Sequence, residues 1–187
     1  MKRLVLIGAL FAGACGTTDD RPRTLAYITE TILAPTCASA ECHSAFKQQV
    51  GDEFDTVDAA RRSIVSNGLV LPDDVADPSR SFLIQSLTVG TLSLLDPKSG
   101  LKVRMPYDAP MPDADIALIE AWIADGAPNA QCLADTQGQA CILKHVGTTT
   151  VSQVVKCSAD GNAGNVVTTC LPGHFCTVSN GTAQCGQ

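Results

Sequence analysis

Aromatic side chains are scarce in this 187-residue chain, at 4% against 45% for all apolar types. With so few large rings, either the core is small or something other than side chains fills it. A surplus of positive charge is also missing. Thirteen Lys and Arg face nineteen Asp and Glu, a formal net charge of −6. That balance argues against nucleic acid and against electrostatic adhesion to anionic lipid, and it would steer basic partners. The apolar run near the start, Leu4 to Phe11, is too short to span a bilayer. There is no internal repeat, Ser-His-Asp order, phosphate-cradling glycine loop or metal-hydrolase pair, so nothing points to an enzyme. Methionine is also rare: after the initiator only Met105 and Met111 occur.

Cysteine, by contrast, is plentiful. The opening "MKRLVLIGALFAGAC" has a basic start at Lys2 and Arg3, a short apolar stretch and small residues before Cys15. This is the layout of an export signal. Ala12-Gly13-Ala14-Cys15 resembles the bacterial lipobox, with Ala12 standing where that family more often has Leu. The resemblance implies cleavage before Cys15 and acylation there on thiol and amine, two signals and hence stable anchoring. The expectation is an exported protein, lipid-anchored to the bacterial cell envelope on the periplasmic face or the cell surface. In an oxidising compartment the remaining cysteines point to disulfides or covalent cofactors.

The chain divides into 1–15 as signal and lipobox, 16–23 as a polar linker, 24–128 as a helical domain and 129–187 as a cysteine-rich module. Leu25, Ile28 and Ile32 form one helical stripe, with Thr24 as N-cap and Pro35 as the stop. "DTVDAARRSIVS" predicts a helix with Val57, Ala60, Ile64 and Val65 inward, ended by Gly68. "DPSRSFLIQSLT" predicts another, with Phe82, Leu83 and Leu87 as its apolar side. Pro106, Pro110 and Pro112 stiffen a loop before the clearest helix. There Asp113 is the expected cap, Ile116, Ile119, Trp122 and Ile123 the apolar face, and Gly126 and Pro128 the end. Asp115, Glu120 and Asp125 read as its solvated side.

Residues 129–187 hold Cys132, Cys141, Cys157, Cys170, Cys176 and Cys185. A segment with so thin a core needs staples, and three disulfides would serve in a pairing the spacing leaves open. "TTTVSQVV" is strand-like, and Asn180-Gly181 between two short strand candidates is a hairpin cue. His145 and His174 read as surface residues.

"TCASAECHSA" sets Cys37 and Cys42 five positions apart and His43 directly after. Covalent haem attachment needs two thiols for the two vinyl groups of the porphyrin and an imidazole for the iron, and a Met as second axial ligand suits electron transfer. The same residues also allow a Cys37–Cys42 disulfide with a solvated His43, or three of the four ligands of a zinc site.

The order "TLAYITETILAPTCASAECH", "RMP", "DADIALIEAWIADGAP" resembles the single-haem c-type cytochrome domains of bacterial exported proteins, over about 23–128. The four-residue spacer departs from the usual two, and such spacers occur in some multihaem cytochromes. The resemblance implies a mainly α, cytochrome c-like helical domain followed by a small disulfide-rich β or loop module. It implies one covalent haem c on Cys37 and Cys42, with His43 as proximal and Met105 as distal iron ligand. Met111 sits where the family more often has Leu or Pro. It also implies that Ile28, Ile32, Ile119 and Trp122 meet where the terminal helices cross. The function implied is membrane-anchored electron transfer to redox partner proteins. The alternative is a haem-free exported lipoprotein that keeps the fold as a binding or structural module.

Overall fold

Thr24 opens the first helix by accepting a hydrogen bond from Tyr27 N at 3.2 Å. Helix α1 (Leu25–Ile28) passes into a π turn over Thr29–Leu33 and then into α2 (Ala34–Cys37). In this computed structural model, residues 19–92, 100, 102–107, 109–134, 137–146 and 149–186 are described. Pro35 does not stop the helix as expected. It falls in the first turn of α2, where its missing N–H is no loss. The helical run therefore continues to Cys37 itself.

Helix α3 (Val57–Ser66) is capped by the Thr56 side chain and ends at Asn67 and Gly68, where Leu69 N returns to Ile64 O at 3.0 Å. Ala59, Ala60, Ser63 and Ile64 are buried. Ser63 takes an inward place expected of Val65 because its Oγ bridges Glu53 N at 2.8 Å and Glu53 O at 3.1 Å. Helix α4 (Phe82–Thr88) starts on the buried Ser81 cap. It turns Leu83, Ile84 and Leu87 inward and leaves Phe82 half exposed, a correction to the predicted Phe82 face. Strands β1 (Thr91–Leu92) and β2 (Lys102–Val103) pair antiparallel.

Helix α5 (Asp113–Ala124) buries Leu118, Ile119, Trp122 and Ile123. Asp113 is its first residue rather than its cap; Pro112 holds that place without a side-chain bond. Leu25, Ile28, Ile32, Ile119 and Trp122 all belong to one buried cluster with Ile64, Ile84 and Met111. The supposed tether and the supposed solvated face of α5 are in fact tied together. Arg21 bonds Asp115 and donates to Ala114 O at 2.7 Å, and Arg23 reaches Asp125 at 3.2 Å.

The second half is sheet. Strands β3 (Gln139–Val146), β4 (Thr149–Cys157) and β5 (Ala163–Thr169) form an antiparallel sheet in that order. Strands β6 (Phe175–Ser179) and β7 (Thr182–Gly186) form a hairpin. Asn180 and Gly181 both take positive φ at its turn, as a two-residue turn of the primed type demands. Disulfides join Cys132–Cys157, Cys141–Cys176 and Cys170–Cys185. The Cys141–Cys176 bridge fastens the hairpin to one face of the three-stranded sheet. On the same face Ser152 Oγ accepts from Cys176 N at 2.8 Å. The three bridges fit an oxidising compartment and an exported protein.

The mainly α expectation is overturned. Among the described residues the helices are short, and the strands pair in antiparallel sheets. Two physical causes stand out. Pro and Gly break the region between α2 and α5 into short helices, turns and 3₁₀ pieces around Pro72 and Pro78. After Asn129, Thr- and Val-rich stretches with few helix formers extend into strands.

The two halves meet at a hydrogen-bonded joint. Arg61 on α3 donates to Asn129 O at 2.8 Å, and Asn129 N donates to Asn162 Oδ1 at 2.7 Å. Gly161 O accepts from Gln131 N and Cys132 N, at 2.9 and 3.1 Å.

Candidate functional site

Cys37 lies on the last turn of α2 and its thiol is buried. The Thr36 hydroxyl, bonded to Ile32 O at 2.6 Å, sits 3.3 Å from Cys37 Sγ. Burial pushes the Cys37 thiol above the ordinary range, the Thr36 contact opposes that shift, and nearby Cys42 adds to it. Residues 38–41 then turn back on themselves. Cys42 N donates to Ser39 O at 3.0 Å and His43 N to Cys37 O at 3.0 Å. The four-residue spacer is thus absorbed in a closed turn that brings His43 against the helix end. Cys42 is exposed, and neither Cys37 nor Cys42 is in a disulfide.

The His43 ring stands edge-on to Phe54, centroids 5.4 Å apart at 61°. Phe54 N donates to His43 O at 2.8 Å. Nδ1 of His43 is buried and makes no hydrogen bond among the described residues. Such an orphaned ring nitrogen costs free energy unless a partner arrives.

Met105 lines the same hollow as Cys37 and His43. Gly90, at φ +79°, lies so close to β2 that an added Cβ would stand 2.7 Å from Val103 C. Only glycine allows this approach. It fixes the chain leaving β2, where Met105 N donates to Ser86 O at 2.8 Å. The Met105 peptide to Pro106 is cis.

Cys37, His43 and Met105 line one hollow together with Leu33, Phe54, Leu69, Leu83 and Leu87. Met111, the other methionine considered for the iron, is 3% exposed in the core and does not line it. Asp52 is the acid on the wall. Burial raises its carboxyl above the usual range, against the opposing pull of an Asn67 Nδ2 bond at 2.7 Å and of His43. Asp52, Phe54, Leu69 and Ser86 were not singled out from sequence, because a lone acid, a lone ring or a lone serine in an irregular stretch has no periodicity to mark it.

The chain matches no protein-family model, no curated protein and no solved structure. The likeness to c-type cytochromes therefore rests on the motif and on this hollow. Two free thiols, an imidazole and a thioether are the donor set that a covalent haem requires, and the lining is otherwise mainly apolar. The orphaned His43 nitrogen belongs to the same group. The hollow measures about 90 Å³, below the roughly 300 Å³ at which ordinary ligand pockets begin. Seating a macrocycle requires its walls to part. The walls exposed enough to do so are Val50 and Phe82, 54% and 50% exposed. Val50 also holds a left-handed backbone at φ 56°, a strained state for a β-branched residue. The donors suit the group in kind, Cys42 lies outside the lining, and the hollow as it stands is too small for the ring.

The six C-terminal cysteines are all paired, so none is available as a ligand. Among the described residues no three His, Cys, Asp or Glu side chains gather as a metal site. His174 is half buried beside the hairpin; the reading of the His145 side chain, and of Cys15 and the export signal, falls outside the described residues. Among the described residues no helix is long and apolar enough to cross a membrane.

Proposed function

We propose that the chain is an exported electron-transfer protein carrying one haem, covalently held by Cys37 and Cys42, with His43 and Met105 as the iron's axial ligands. The observation that carries this reading is the convergence of Cys37, His43 and Met105 on one apolar hollow, while Cys37 and Cys42 alone among the described cysteines stay unpaired. A haem held there supplies one-electron exchange between ferric and ferrous iron. The protein's own part is positional. The α2 end and the closed turn after it hold two thiols and an imidazole together. The Gly90 contact and the Ser86 bond fix the backbone that carries the Met105 thioether. Leu33, Leu69, Leu83 and Leu87 keep water from the site. No substrate chemistry is needed, so the chain is not an enzyme by itself. A lipid anchor at Cys15 and a redox partner protein with a basic face belong to the same proposal.

The test is expression in an exporting, haem-maturing host. The expected product gains the mass of one haem that survives denaturation, shows a Soret band, and leaves Cys37 and Cys42 unreactive to alkylation. A colourless product with two alkylatable thiols, or with a Cys37–Cys42 bridge, refutes the proposal and selects the haem-free binding or structural lipoprotein.

A further inference from the structure

A second cavity among the described residues lies elsewhere. A groove of about 780 Å³ runs between the Val70–Ala76 segment and Arg80 on one side and one face of the β3–β4–β5 sheet on the other. Its volume is that of a site for a small organic ligand. The sheet side is apolar through Ile142, Val155 and Val166. Amid these sits Gln153, in the central strand and 8% exposed. Its Nε2 donates to Thr169 Oγ1 at 2.9 Å, while its Oε1 is buried with no hydrogen-bond partner among the described residues. Turning the amide over would move the deficit to the nitrogen, not remove it. A buried polar atom left without a partner is destabilising, a deficit that a ligand hydroxyl, able to donate or accept, would make good.

The groove also runs against the charge of the whole chain. The chain is acidic, yet the groove's lining carries two cations, Arg80 and Lys144, both exposed and neither in a salt bridge among the described residues. Asp73, the single acid on the lining, already has a contact of its own. An anionic group beside either cation gains charge-assisted hydrogen bonds.

We infer that this groove binds an amphipathic hydroxy acid: a carboxylate at Arg80 or Lys144, an apolar chain along Ile142, Val155 and Val166, and a hydroxyl on the Gln153 amide. This site is separate from the hollow at His43 and does not depend on haem. The probe is 3-hydroxydecanoate, titrated by calorimetry into the full exported protein with its disulfides intact, alongside decanoate and decanol. The expected order is 3-hydroxydecanoate tightest, decanoate about tenfold weaker and decanol weaker again, from the loss of one hydrogen bond and then of the charge. The exposed pair Arg80→Gln and Lys144→Gln is expected to abolish the preference for decanoate over decanol. Gln153→Met is expected to abolish only the preference for the hydroxyl. Equal binding of all three probes, no binding at all, or 3-hydroxydecanoate binding unchanged in the folded Arg80→Gln and Lys144→Gln double variant overturns the inference. So does an unaltered hydroxyl preference in Gln153→Met. If Gln153→Met does not fold, the surface pair alone decides.

Discussion

Replacing Gly90 by alanine tests how Met105 is held. The new Cβ would lie 2.7 Å from Val103 C, 2.8 Å from Arg104 N and 2.9 Å from Val103 O, all backbone atoms. Ordinary contact begins near 3.4 Å, so the Val103–Arg104 backbone has to retreat by several tenths of an ångström. A left-handed L-residue costs about 1–2 kcal/mol. The retreat also strains the Met105 N–H bond to Ser86 O, a net contribution of about 1 kcal/mol. The sum is about 2–3 kcal/mol. For a chain of this size each kcal/mol moves the melting point by roughly 2–4 °C, so a drop of roughly 4–12 °C is expected in circular-dichroism melts. Gly173→Ala is the control. It has the same kind of positive φ, +83°, with nothing within 4 Å of the added Cβ. It should lose only the conformational part, about 1–2 kcal/mol. In haem-loaded protein Gly90→Ala should also weaken the ferric band of thioether ligation, which Gly173→Ala should leave intact. Equal losses in the two variants would refute the argument that the β2 backbone is packed onto Gly90.

Two further perturbations follow from the same contacts. Burial raises the Asp52 carboxyl, so the native state binds its proton more tightly than the unfolded chain. Stability from this group is then greatest at low pH and falls as pH rises from the ordinary aspartate value, about 3.9, through the raised one. Asp52→Asn keeps an acceptor for Asn67 and should flatten that fall, gaining stability at neutral pH relative to acid; urea midpoints across the range check it, and an unchanged pH profile counts against it. Removing the Cys132–Cys157 bridge with paired alanines opens a loop of 25 residues, worth about 3.5 kcal/mol by loop closure. The expected fall in melting point is roughly 7–14 °C, and a loss under about 1 kcal/mol would show that the Gly161 and Asn162 hydrogen bonds hold the joint unaided.

How far the fold could be read from sequence depended on how locally each element is specified. The face of α5 was readable because Ile119, Trp122 and Ile123 repeat at helical spacing, and its end because Gly126 and Pro128 follow at once. The Asn180-Gly181 hairpin was readable because only a few residue pairs tolerate two positive φ angles. Pro35 misled because a proline in a first turn and a proline that ends a helix look alike until the preceding π turn is seen. The mainly α expectation failed for a related reason. It extended the helical pattern of 24–37 and 113–124 across a middle broken by Pro72, Pro78 and Gly90, and gave too little weight to the strands of the last third.

The candidate site divides the same way, and the division says which residues matter to its chemistry. Cys37, Cys42 and His43 are adjacent in sequence, so their meeting is fixed by a turn of a few residues, and the motif announces it. Met105 is more than 60 positions away, and what brings it back is the Gly90 contact and one backbone hydrogen bond to Ser86. Neither has a sequence signature, since an isolated glycine after a helix reads first as a helix end. Asp52 is invisible for the opposite reason: acids are common on an acidic chain, and only its burial, at 7% exposure and shared with Asp74 at 6%, sets it apart from the exposed ones. A donor set readable in sequence and a geometry set by distant backbone contacts make different demands on mutation. Exchanging a donor removes the chemistry and leaves the fold. Crowding Gly90 keeps every donor and moves one of them, so only the second kind of variant tests whether the hollow is a site or a coincidence of reactive side chains.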